Sequence, residues 1–83
     1  MHVISGKKYA IADLINTITE TDESFVEVSV VTWNWISDDG SKCVYPTYLP
    51  PKRQAIAIKY CMEPNPQFTS YPSTIRYWFG ESF

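Results

Sequence analysis

FVEVSVVTWNWISDDGSKCVYP, residues 25–46, decides the fold. From Phe25 to Val31 the residues follow the two-residue period of a pleated strand. Val26, Val28 and Val30 fall on one face and Phe25, Glu27, Ser29 and Val31 on the other. The all-valine face is expected to be core. The mixed face, extended by Trp33, is expected to be a partly covered surface or the place where a partner docks. Asp38-Asp39-Gly40 then supplies residues suited to the positive φ of a reversing turn, so Lys42 to Tyr45 is expected to return as a strand in a hairpin-like core.

Towards the N-terminus two periods compete. Ile11, Leu14, Ile15 and Ile18 fit a helical stripe, whereas Tyr9-Ala-Ile-Ala-Asp-Leu-Ile also fits a short strand, and both readings stay open. Asn16 to Ser24, rich in Thr, Asp and Glu, reads as a loop. Towards the C-terminus, Pro51 suits the first position of a helix, where its missing N–H costs nothing. Lys52 to Met62 is then a helix with Ala55, Ile58 and Met62 on one side. The alternation of Ile56, Ile58, Tyr60 and Met62 leaves a strand as the other reading. Pro64 and Pro66 end this element, and Ser73 to Phe79 reads as a last strand. The expected fold is α+β: a small antiparallel sheet of three to five strands with one helix, forming a single domain over residues 1–83, either a whole protein or a fragment of a longer one.

Composition narrows the function. At 83 residues, 45% hydrophobic and 16% aromatic, the chain is globular, not disordered, and its core is thin. Its apolar runs are far shorter than the roughly 20 residues that span a bilayer, so no membrane partner is expected. MHVISGKKYAIADLI has no long apolar stretch or cleavage pattern of a signal peptide, and an intracellular location is the default. Cys43 and Cys61 are too far apart for a CxxC motif. They read as buried thiols, with a disulfide as the alternative in a secreted chain. Residues 1–41 hold seven acids against Lys7 and Lys8, and residues 42–83 hold five bases against two acids. The halves therefore carry formal charges of −5 and +3, an asymmetry that favours self-association or a local basic patch unless the fold intermixes the two sets.

Catalytic constellations are missing from the sequence. His2 is the only histidine, which removes the familiar Ser-His-acid and Cys-His arrangements. Glu20-Thr-Asp-Glu23 and Asp38-Asp39 read as solvated loop charges, and no EF-hand, P-loop or dinucleotide fingerprint is present. The chain is expected not to be an enzyme and to hold no cofactor and no metal. Aromatics are the remaining resource, because Trp and Tyr anchor interfaces. Phe25, Trp33, Trp35, Tyr45, Tyr48 and Trp78 are the candidate partner-binding residues, for a protein partner or a second copy of the chain. A narrower version is an aromatic cage for a methylated lysine beside Asp38 and Asp39. The alternative is a nucleic-acid or chromatin-binding module using Lys52, Arg53, Lys59 and Arg76 with Tyr60, Tyr77 and Trp78, against which stands a pI near 5.2.

The succession YAIADL, FVEVSVVTWNWI, KCVYP, a proline and lysine segment, EPNPQF and YPSTIRYW resembles a small aromatic-rich module at the N-terminus of uncharacterised, transposon-associated arthropod proteins. The residues that carry the resemblance are Asp13-Leu14, Trp35-Ile36, Cys43-Val44-Tyr45-Pro46, Phe68 and Tyr71. The chain departs from that pattern with Thr32 in place of a proline, Val44 in place of an aromatic and Phe68 in place of a tryptophan. The resemblance implies a strand at Tyr9 to Ile15, a helix at Lys52 to Met62 and a nuclear or chromatin-related setting, and it brings no biochemical activity with it.

Overall fold

The computed structural model describes residues 8–18 and 20–80. His2, the sole histidine, lies outside the described residues. The chain forms β1 (Tyr9–Ile18), β2 (Glu23–Thr32), a 3-10 turn (Trp33–Trp35), β3 (Lys42–Tyr45), α1 (Pro51–Lys59) and β4 (Thr69–Phe79). All ladders are antiparallel and the sheet order is β2-β1-β4-β3, so the first and last strands are the inner ones. This is the expected α+β class, with four strands and one helix.

Tyr9–Ile18 is a strand, and its hairpin with β2 consumes most of the segment read as a loop. The turn closes through Asp22 at φ 55, a left-handed conformation that Asp tolerates better than most residues. β3 does return after Asp38-Asp39-Gly40, but only the single bridge Ile36↔Cys43 ties it back to the preceding segment, and its true neighbour is β4. The hairpin core expected there is thus replaced by a non-local sheet.

Register explains where the sheet bends and where it stops. Ile11 pairs with Tyr77 and Ala12 with Ile75, which leaves Arg76 as the extra residue of a β-bulge. The bulge turns Arg76 towards Asp13, and Nε meets the carboxylate at 2.6 Å. The β1–β4 ladder ends at Leu14↔Ser73. Ser73 donates its N–H to Ser41 on the β3 side, so the nitrogen of Pro72 faces β1 and has no hydrogen to offer. Beyond that point β1 and β2 run on alone. Four residue pairs, from Ile15↔Val26 to Ile18↔Glu23, form a two-stranded arm projecting about 14 Å at ~3.4 Å per residue.

The core lies on the face of β1 that carries Ala10, Ala12 and Leu14, together with Val31, Trp35, Ile36, Cys43, Ala57 and Phe68. The indole of Trp35 meets Tyr45 and Phe68 edge-on at ring centroid distances of 5.6 and 5.5 Å. Here the expected face of β2 is corrected. Val31 is 0% exposed, whereas Val26 and Val28 are 55% and 54% exposed. The odd-numbered face meets the helix and the aromatic cluster, and the valine face is left open. Cys43 and Cys61 are both thiols; Cys43 is buried as expected, and Cys61 is only half-buried.

Helix α1 starts at Pro51, as the sequence predicts, with Arg53 and Gln54 donating to the Pro50 carbonyl at 2.9 Å. It ends three residues earlier than expected. Cys61 takes φ 49, Cys61 N–H bonds to Ile58 O and Met62 N–H to Ala57 O, the paired bonds of a Schellman cap. The cap delivers the Met62 carbonyl to Trp35 Nε1 at 2.7 Å and the Cys61 carbonyl to Asn34 Nδ2 at 2.9 Å. Tyr9 OH adds a bond to the Lys59 carbonyl at 3.0 Å, so the helix end is pinned to β1 and to the 3-10 turn.

Candidate interaction surface

The six aromatics singled out from the sequence do not converge. Trp35 is 2% exposed and is a core residue, because the 3-10 turn interrupts the strand period and swings it inwards. Tyr45 and Trp78 are half-buried against the same core. Burial pushes the Tyr45 phenol above its ordinary value, and the charge of Glu27 adds to that shift. Trp33, at 39%, stays exposed at the inner end of β2, while Phe25, at 51%, sits on the arm at its outer end. Tyr48 is exposed elsewhere, beside Phe68, and its hydroxyl accepts from Asn65 Nδ2 at 3.0 Å.

Around Asp38 and Asp39 a small hollow is lined by one aromatic among the described residues, Trp78, so these residues form no aromatic cage there. Asp39 is instead the organiser of its turn. It accepts from the Ser41 N–H, the Ser41 hydroxyl and the Ser37 hydroxyl, and these bonds hold its pKa down to about 2. The Cys43 thiol is pushed above its ordinary value by burial, opposed by its bond to Ser73, and this makes it a poor nucleophile.

The four basic residues of the nucleic-acid reading are also separated. Lys52, Arg53 and Lys59 lie exposed on α1, which has no acidic residue in its first turn. Arg76 lies on the opposite side of the sheet, bound to Asp13. Lys59 Nζ stands 5.5 Å from the centroid of the Tyr60 ring.

What the fold does assemble is a continuous surface on β2. Among the described residues β2 pairs only with β1, so its outer side is an unpaired edge over ten residues. The phase of that edge follows from one bond. Trp33 N–H donates to Lys8 O, on the β1 side, so the odd-numbered residues of β2 point their backbone groups at β1. Val26, Val28 and Val30 therefore aim their N–H and C=O groups outwards. Their side chains share the open face with Ile11, Ile15 and Tyr77. At the inner end of this edge α1 runs alongside, and Val30, Ala55, Ile58 and Lys59 line a hollow of about 340 Å³. A second apolar groove of about 300 Å³ lies on the helix between Leu49, Arg53, Ile56, Tyr60 and Met62.

Sequence reasoning found the exposed Phe25 and Trp33 but missed the valines. Their β-propensity is equally satisfied on an open sheet face, so composition did not separate the two uses. No helix among the described residues is long and apolar enough to cross a membrane, and no three His, Cys, Asp or Glu residues there cluster as a metal site. Comparison with known protein families, with curated proteins and with solved structures found no match.

Proposed function

We propose that this domain is a non-catalytic protein–protein interaction module that self-associates through β2. One observation carries the reading. A ten-residue edge strand presents outward backbone groups along its length while exposing Phe25, Val26 and Val28, each more than half accessible. An unpaired edge of that length with a single charge, Glu27, on its central stretch is a template for strand pairing unless it has a partner. The resemblance to the arthropod module adds a nuclear, chromatin-related setting to this reading.

Sedimentation or light scattering tests it. The wild-type domain is expected to form a dimer or higher oligomer. Val28→Lys, at an exposed position, is expected to weaken association while leaving the thermal unfolding transition within a few degrees of wild type. A wild-type domain that stays monomeric at its highest soluble concentration refutes the proposal. Nucleic-acid binding is the second reading, supported by Lys52, Arg53 and Lys59 on a helix whose first turn has no acid. It requires DNA or RNA affinity that falls steeply with salt and disappears in the Lys52→Glu, Arg53→Glu double variant.

A further inference from the structure

Building on the self-association proposed above, we infer that two copies join β2 to β2, antiparallel, about a two-fold axis through Val28, to make one continuous sheet.

The backbone phase and the side chains together select this register. In an antiparallel pair related by a two-fold axis, residue numbers of opposed residues have a constant sum. An axis through Glu27 opposes two like charges at the centre, which is destabilising. One through Val26 runs into the turn, with Val30 opposite Asp22, and one through Val30 runs off the strand, with Val26 opposite Asn34. The axis through Val28 uses the longest stretch without such conflict. The outward-pointing Val26 and Val30 oppose each other, and Glu27 opposes Ser29.

That register also brings complementary groups together at both ends. Phe25 of one copy lies opposite Val31 of the other, on the face that packs against α1, and so arrives at the apolar hollow of Val30, Ala55 and Ile58. Glu23 lies opposite Trp33, which shares a hollow with Lys59, so the acidic tip of the arm meets the basic end of the helix. The pairing thus gives the arm, which extends past the rest of the sheet, a partner to lie against. Each arm is covered by the partner's helix, twice per dimer.

Site-specific cross-linking of the full chain tests the pairing. On the axis, two Val28→Cys residues have Cα atoms about 5.5 Å apart, inside the range a disulfide bridges. With oxidised glutathione, the Val28→Cys variant is expected to become mostly covalent dimer, at least about tenfold faster than Val26→Cys, whose own counterpart lies away across the axis. Mixing Val26→Cys with Val30→Cys is expected to give the mixed dimer at a rate close to that of Val28→Cys. Wild type in the same oxidant measures the background from Cys43 and Cys61. A wild-type dimer in which Val28→Cys cross-links no faster than Val26→Cys overturns this register and leaves self-association standing. A wild-type monomer overturns both.

Discussion

Replacing Trp35 tests whether it belongs to the core or to the surface, and its neighbour Trp33 supplies the control. Trp35→Ala removes an indole that is 2% exposed, two edge-on aromatic contacts and the bond to Met62 O. Large-to-small changes at such sites cost ~3–5 kcal/mol. A domain of this length has a total stability of roughly 4–12 kcal/mol, so the variant should be marginal or unfolded at ambient temperature. Trp35→Phe isolates the polar part of the loss. It keeps a ring in place, and the Met62 carbonyl still accepts from Asn34 Nδ2 at 3.3 Å, so no acceptor is orphaned. That change should cost about 1–2 kcal/mol and lower Tm by roughly 4–16 °C. Trp33→Ala, at a more exposed position, should cost at most about 2 kcal/mol. Urea and thermal unfolding followed by far-ultraviolet circular dichroism, a signal that does not depend on tryptophan emission, measure all three. If Trp33→Ala destabilises more than Trp35→Ala, the assignment of the two indoles is wrong.

Val28→Asp, which a buried valine face would not tolerate, should leave the monomer folded at a cost near ~1 kcal/mol, whereas Val31→Asp buries a charge at a fully enclosed site and should abolish cooperative unfolding. Equal effects of the two, read by circular dichroism, would contradict the face assignment. Asn16→Leu should raise stability by about 1 kcal/mol in urea titrations, because Asn16 Nδ2 is buried without a hydrogen-bond partner; a loss of stability would show that this amide is satisfied. The Asp39 carboxyl, held at about 2 in the folded state, is depressed relative to its ordinary value near 3.8, so its contribution to the turn is complete above pH 4 and is lost as pH falls towards 2. Asp39→Asn should flatten that part of the acid-unfolding curve, and a carboxyl carbon titration placing Asp39 near 4 would refute the hydrogen-bonded turn.

Local signals read correctly where chemistry is local. Pro51 marks a helix start because only the first turn tolerates a residue without N–H, and the Val26–Val31 alternation marks a strand because no helix presents that period. The alternation separates two faces, but which face is covered depends on where α1 and the Trp35–Phe68 cluster settle, and those contacts span tens of residues. Trp33 and Trp35 share a parity that a strand would put on one side. The 3-10 turn removes that equivalence, and nothing in the two residues announces it. The strand order escaped for the same reason, since β1 between β2 and β4 is a fact of long-range pairing. The end of α1 was misplaced because Cys61, not glycine, occupies the left-handed cap position.

The position of β4 has a consequence for how the chain is made. Among the described elements β1 emerges from the ribosome first, yet the strand that completes its second side comes last, more than fifty residues later. Until then β1 and β2 have only each other as sheet neighbours among the described strands, and a two-stranded ribbon is marginal in water by itself. β3 waits as well, because its ladder partner is that same final strand. The sheet therefore cannot close until Phe79 is available, and the interval between synthesis of Thr32 and of Phe79 is when the hairpin is most exposed to mispairing with neighbouring nascent chains on the same message.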